Sequence, residues 1–260
     1  MYPRKVKLSK GLIATPHHAL VHEKTRIGIV SDLHVGFEEQ QVAAGTFVPR
    51  KQLRGIKEKL YALKNEFGVK TIILNGDVKH SFGRATYRGE RELGELFKFL
   101  LKTFSKVIVL KGNHDNFLQN TLQKFPSIEF HEHFLELPRI VVTHGDKAVP
   151  PEILKGKALV MGHQHPSIVL RDEVGASMKL PAFLYKAGKN PVIITPALSP
   201  LSAGTDFLTP KASGFLGKTL EREGVESFTP IGVSEEGLVK LPKLGILQRK
   251  LGKALYFESE

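Results

Sequence analysis

Five short polar clusters hold most of the residues in this chain that could do chemistry. They are Ser31-Asp32-Leu33-His34, Asn75-Gly76-Asp77-Val-Lys-His80, Gly112-Asn113-His114-Asp115, Thr143-His144-Gly145-Asp146 and Gly162-His163-Gln164-His165. There is no cysteine, which excludes a thiolate metal site, a cysteine nucleophile and a disulfide framework. Oxygen and nitrogen donors remain. Asp32, His34, Asp77, Asn113, His144, His163 and His165 are too many for one tetrahedral ion. They suit two divalent ions about 3.5–4 Å apart with one carboxylate between them. Two such ions and two aspartates leave a net charge of about +2, which favours an anion such as phosphate, and a hydroxide held between the ions is a potent nucleophile at neutral pH. Asp32 and His34 are two residues apart, as are His163 and His165. In an extended chain such residues point to one side, so each pair is expected to grip from one wall. Gly76, Gly112, Gly145 and Gly162 stand where sharp turns and close backbone approach are needed.

The elements between the clusters explain how they could meet. Apolar runs at residues 26–31, 70–74, 106–110, 139–143 and 158–161 read as buried strands, each ending in one of the clusters. Leu53, Ile56, Leu60 and Leu63 recur at helical spacing, so a helix is expected from Pro49 to Phe67 with Gly68 as its stop. A second is expected from Arg91 to Phe104, with Leu93, Leu96, Phe97, Leu100 and Leu101 inward. In open α/β sheets ligands bind beyond the carboxyl ends of the strands, so five such ends would surround one crevice. After Met161 the alternation stops. Residues 167–170, 182–185 and 191–195 read as strands joined by turns, which a mixed sheet fits better. Length favours a single domain over residues 1–260, with a loop-rich C-terminal extension from about 196 and a basic tail.

The ordered set Asp-x-His, Gly-Asp, Gly-Asn-His-Asp, His and Gly-His-x-His resembles the calcineurin-like metallophosphoesterases, over about Ile27 to Pro166. The resemblance implies an α/β fold of two mixed β-sheets packed as a sandwich and flanked by helices. It implies that Asp32, His34, Asp77 and His165 hold one metal and that Asn113, His144 and His163 hold the other, with Asp77 bridging. It gives His114 the task of assisting the leaving group, with Asp115 orienting it. Manganese is the family expectation for the metals, with Fe, Zn, Co or Ni also compatible with the donors. The segments Phe47-Val-Pro49, Gly76-Asp-Val-Lys-His80, Leu170-Arg-Asp-Glu-Val174 and Ser199-Pro-Leu-Ser-Ala-Gly204 resemble the branch related to the Mre11/SbcD nucleases and to phosphoesterases associated with DNA ligase or Lhr-like helicases. That branch implies DNA repair and one of those two enzymes as a partner. Where many members carry an acidic residue three positions after the bridging aspartate, this chain has His80.

Charge points the same way. Lys and Arg number 38 against 26 Asp and Glu, a net +12, the footprint of a polyanionic partner such as nucleic acid. Arg84, Tyr87, Arg88 and Arg91 follow the second cluster and could contact phosphate or stack on bases; His80 could line the same pocket. The expected substrate is therefore a phosphodiester in single-stranded DNA or RNA. The alternatives are nucleotides or other small phosphoesters, and a scaffold that has lost catalysis; the complete ligand set argues against the last. Ala212 to Thr219 matches a relaxed P-loop, but Pro210 disfavours the strand that must precede one. No apolar run approaches the ~20 residues that span a bilayer and the start has no apolar leader core, so a cytoplasmic protein with no membrane partner is expected.

Overall fold

Chain order and sheet order coincide through the first half of the protein. In the computed structural model, which describes residues 2–46, 49–171, 176–202, 204–209 and 224–249, strands β1 (Val6–Lys7), β2 (Leu12–Ala14), β3 (Leu20–His22), β4 (Ile27–Val30), β5 (Thr71–Asn75), β6 (Lys106–Leu110) and β7 (Glu129–His131) lie side by side as one seven-stranded sheet. β1 to β4 pair antiparallel and β4 to β7 parallel. The parallel part needs crossover connections, which carry α1 (Phe37–Ala43), α2 (Gln52–Phe67), α3 (Tyr87–Thr103) and α4 (Leu118–Leu122).

The second sheet takes the rest of the described chain. Its strands are β8 (Phe134–Leu137), β9 (Ile140–Thr143), β10 (Ala158–Met161), β11 (Pro166–Arg171), β12 (Ser177–Lys186), β13 (Val192–Ile194), β14 (Thr205–Asp206), β15 (Thr229–Ser234) and β16 (Gly237–Lys240). The order is β14-β11-β12-β13-β10-β9-β8, with β15 and β16 branching from β12. β10 pairs parallel with both β9 and β13, whereas β12 pairs antiparallel with β11, β13 and β15. The two mixed sheets pack face to face as the α/β sandwich expected from the sequence.

Strand alternation decides which side chain goes where. Ile72 and Leu74 of β5 face α2 and α3, where Ile56, Leu60, Leu63, Leu93, Leu96, Phe97 and Leu100 cover them. Ile73 faces the other way, into the sandwich, with Ile29, Ile108, Val142, Val160, Phe183, Ile193 and Ile231. Burial on both faces explains why these strands read as unbroken apolar runs. A third apolar cluster, with Phe207, Phe228 and Leu244, covers the outer face of the second sheet.

Helix boundaries differ from the sequence expectation for local reasons. Pro49 lies outside α2. The Glu38 carboxylate of α1 accepts from the backbone N–H groups of Lys51 (2.5 Å) and Gln52 (2.7 Å) and so caps that helix from outside. Gly68 does end it, at φ +63°. α3 starts at Tyr87 rather than Arg91 because the Thr86 hydroxyl accepts from the Gly89 N–H at 3.0 Å, a side-chain N-cap. Residues 229–240, within the stretch read as loop-rich, form β15 and β16. The P-loop-like stretch at 212–219, parts of three branch-specific segments and the tail beyond 249 lie outside the described residues. Among the described residues no helix is long and apolar enough to cross a membrane.

Candidate metal centre

The polar clusters gather where parallel strands of both sheets end. β4, β5 and β6 run into Asp32, Asp77 and Asn113; β9 and β10 run into His144 and into His163 and His165. The sheets are stitched together there. Ser31 and Ala197 form a parallel bridge, the Ser31 and Thr195 hydroxyls are 2.7 Å apart, and the Leu198 and Ser199 N–H groups donate to the carbonyls of Ser31 (2.8 Å) and Asp32 (3.2 Å).

The backbone at the donors is not extended, which corrects one expectation. Asp32 (φ 59°), His34 (48°), Asp77 (49°), His163 (68°) and His165 (43°) all occupy the left-handed region. That conformation costs a non-glycine residue of order 1–3 kcal/mol and persists where surroundings over-determine it. The i, i+2 pairs do meet at one site, but through consecutive sharp turns rather than a flat strand. Close approach is just as tight. A Cβ on Gly112 would lie 2.2 Å from Asp77 Oδ1 and 2.3 Å from the Asp77 backbone nitrogen, and one on Gly76 would lie 2.3 Å from His144 Nδ1.

Two donor groups share Asp77, and a third joins His34, His80 and His114. Asp32, His34, Asp77 and His165 each offer a ligand atom within 4.8 Å of the others, and Asp77, His144 and His163 do the same. His165 Nε2 lies 3.2 Å from both Asp32 Oδ1 and His34 Nε2. His144 Nε2 lies 3.1 Å from Asn113 Oδ1, 3.2 Å from His163 Nδ1 and 3.4 Å from Asp77 Oδ1. Imidazole nitrogens directed at one another and at carboxylate oxygens are what a cation between them would need. The mixed oxygen and nitrogen donors fit first-row divalent metals.

His114 stands beside these groups. Its N–H donates to Asp77 Oδ1 at 2.9 Å, and its ring Nδ1 bonds the His80 carbonyl. A carbonyl only accepts, so Nδ1 carries the hydrogen and Nε2 faces the centre, 3.9 Å from Asp77 Oδ2. Asp115 does not touch that ring. Its carboxylate accepts from the N–H groups of Gly112 (2.9 Å) and Lys79 (3.1 Å), so it fixes the backbone turn that carries His114. The His80 ring lines the pocket, with Nδ1 3.4 Å from His34 Nδ1. Arg84 and Arg88 are not drawn into the centre. Arg84 lies over the Phe117 ring at 5.5 Å, and Arg88 pairs with Glu92 at 3.0 Å within α3.

The sequence profile of calcineurin-like phosphoesterases matches residues 25–225. This chain belongs to that family. It is therefore a phosphoesterase, a hydrolase of phosphoester bonds, as the order of its clusters implied. Among solved structures it is similar to Pseudomonas putida nuclease MPE, with TM-score 0.63, 19% identity and coverage of 91% of this chain and 98% of that one. A looser likeness is to the E. coli phosphoesterase Yfce, with TM-score 0.42, 15% identity and coverage of 85% and 94%. No curated protein matches the chain.

Electrostatics suit a phosphoesterase centre that takes cations. Burial raises the Asp32 pKa, but His165 and His144 outweigh it, and the carboxyl rests below its ordinary value. Burial likewise opposes ionisation of Asp77, and the hydrogen bond and charge of His144 overcome it, leaving Asp77 far below the carboxylate range. His144 loses to burial and gains more from Asp77 and Asp32, so its pKa rises to about 9. At His34 burial wins and the pKa falls to about 4. The buried carboxylate pair thus draws a proton onto His144 when no metal is bound, and a metal ion must displace it.

Three features of this phosphoesterase were not singled out from sequence. Phe82 stacks on the His114 ring, centroids 3.8 Å apart. The Lys79 ammonium bonds the carbonyls of Ser81, Gly83 and His114. The Ser202 hydroxyl meets His165 Nδ1 at 2.8 Å, fixing the ring from behind. Lys79 lies within the second cluster and Phe82 just after it, and Ser202 lies in the branch segment Ser199-Pro-Leu-Ser-Ala-Gly204, but residue type alone gave none of them these contacts.

Proposed function

We propose that this phosphoesterase is a dinuclear, manganese-dependent nuclease that hydrolyses phosphodiester bonds in single-stranded DNA or RNA. The observation that carries the dinuclear reading is the pair of donor groups sharing Asp77. Asp32, His34, Asp77 and His165 would hold one ion, and Asp77, Asn113, His144 and His163 the other. Bound there, the metals would supply Lewis acidity toward the phosphoryl oxygens and a water made acidic enough to attack. The chain's own residues do the rest. His165 is held by Ser202 and His114 by the His80 carbonyl, so both rings keep their orientation through a turnover. In its protonated form His114 Nε2 delivers a proton to the leaving ester oxygen.

The nucleic-acid part rests on the surface beside His114. Phe82, Phe117 and Tyr87 are exposed, Tyr87 at 89%, and Arg84 already lies over an aromatic ring. A groove of about 470 Å³ that includes Tyr87 is lined by Arg50, Arg54, Arg88 and Arg91 together with Glu38, Glu92 and Glu95. Exposed rings between arginines are how sequence-tolerant proteins stack bases and track a backbone. The fold likeness to a P. putida nuclease supports the same reading.

The test is cleavage of an end-labelled single-stranded oligonucleotide with Mn²⁺ and with EDTA, using His114→Ala to exclude contamination. Metal-dependent cleavage that the variant lacks is expected. Hydrolysis of bis-p-nitrophenyl phosphate without strand cleavage would reject the nuclease and leave a phosphoesterase of small esters.

A further inference from the structure

A second cavity opens beside the metal centre. It measures about 680 Å³, and His165 forms part of its wall. That volume lies in the range of small-molecule sites, about 300–1,000 Å³. Its lining is mostly apolar. Met178, Leu180 and Pro181 of β12 make one side, and Met178 is 61% exposed although apolar.

Polar groups share the lining. Lys59 comes from α2, and its ammonium contacts the Leu198 carbonyl at 3.3 Å and His18 Nε2 at 3.2 Å. His18 is buried, and its Nδ1 meets the Ala197 carbonyl at 2.7 Å. The carbonyl can only accept, so Nδ1 is protonated and Nε2 accepts from Lys59. Two of the three ammonium hydrogens are thereby directed, and the third remains for the cavity. Among the described residues no carboxylate offsets the Lys59 charge, and burial lowers its pKa to about 8. Buried charges are normally paired, so this half-buried ammonium favours an anion in the cavity; Glu235 is also on the lining. The Ser167 hydroxyl, on the same lining, is buried and has no hydrogen-bond partner among the described residues. Lys179 stands nearby, donating to the Gly204 carbonyl at 2.7 Å.

We propose that this cavity is a subsite for the nucleotide next to the scissile bond, with Lys59 and Ser167 taking its far phosphate and the Met178–Pro181 wall taking its sugar and base. The proposal rests on the phosphoesterase reading of the metal centre and deepens it. The substrate then carries two phosphates one nucleoside apart, one at the metals and one at Lys59. A polynucleotide meets that requirement and a simple phosphomonoester does not.

Calorimetry with adenosine 3′,5′-bisphosphate and adenosine 5′-monophosphate, in Mn²⁺, tests this without turnover. The bisphosphate should bind the wild-type protein about tenfold more tightly, since its second phosphate gains a charge-assisted hydrogen bond. Lys59→Met should erase that difference and Lys59→Arg keep most of it. Equal binding of the two nucleotides by the wild type would overturn the subsite, as would discrimination that survives Lys59→Met. The wild-type comparison stands even if the variant misfolds. Failure of the phosphoesterase reading is a separate result, namely no hydrolysis of bis-p-nitrophenyl phosphate by the wild type.

Discussion

Asp77 and His114 sit within hydrogen-bonding distance of each other yet answer to different chemistry. Asp77 is shared by the two donor groups that contain aspartate, so Asp77→Asn should lose both bound metal and activity. His114→Ala should keep metal, measured by elemental analysis, while the rate falls by roughly 10²–10⁴, the usual worth of a positioned acid. Equal metal loss in both would remove His114 from its assigned role. His18 makes a stability prediction of its own. Burial lowers its pKa to about 3, and the Lys59 charge acts the same way. The unfolded chain therefore holds more protons than the folded one between about pH 3 and 6.5. Stability from this group is complete above about 6.5 and falls with acidification, at up to about 1.4 kcal/mol per pH unit. Urea unfolding at pH 4.5 and 7 should show a smaller pH difference in His18→Gln than in the wild type.

At the scale of elements, the turns matter more than the strands they leave. Gly112 has no room for a methyl group because the obstacle is the Asp77 backbone as well as its carboxylate. Gly112→Ala should cost about 1–3 kcal/mol in denaturant titration and weaken metal retention. Lys79 ties three carbonyls of the His80 and His114 loops together. Lys79→Met should leave metal content intact while kcat drops roughly tenfold or more, because misplacing a reacting group by about 1 Å can cost that much. The same contrast explains what could be read in advance. β6 and β10 were legible to the residue because each is a closed apolar run buried on both faces. The ligand residues were legible because their types and order are chemical. The left-handed turns were not: aspartate and histidine enter that region more often than most residues, yet still only in a minority of cases. β1, β2 and β3 have two or three residues each, too few to show a period of two. Their burial comes from a partner strand, which no local pattern announces.

For the whole molecule, the net charge of +12 makes the proposed nucleic-acid substrate a case of counterion release. Strand cleavage at sub-saturating oligonucleotide should fall steeply between about 50 and 200 mM salt, while hydrolysis of bis-p-nitrophenyl phosphate changes little. A flat salt profile for both would argue against the nucleic-acid substrate.

The two sheets are also two consecutive lengths of chain, β1 to β7 within residues 6–131 and β8 to β16 within 134–240. Asp32, His34, Asp77 and Asn113 belong to the first and His144, His163 and His165 to the second. During synthesis the first length leaves the ribosome with an oxygen-rich half-site and one apolar sheet face still uncovered. No ion can find its full complement until His165 has emerged, and the segment that braces Asp32 follows only at Ser199. Metal capture is thus a late event in the life of each new chain. A cut between Glu132 and His133 would yield two fragments whose reunion the metals themselves should promote.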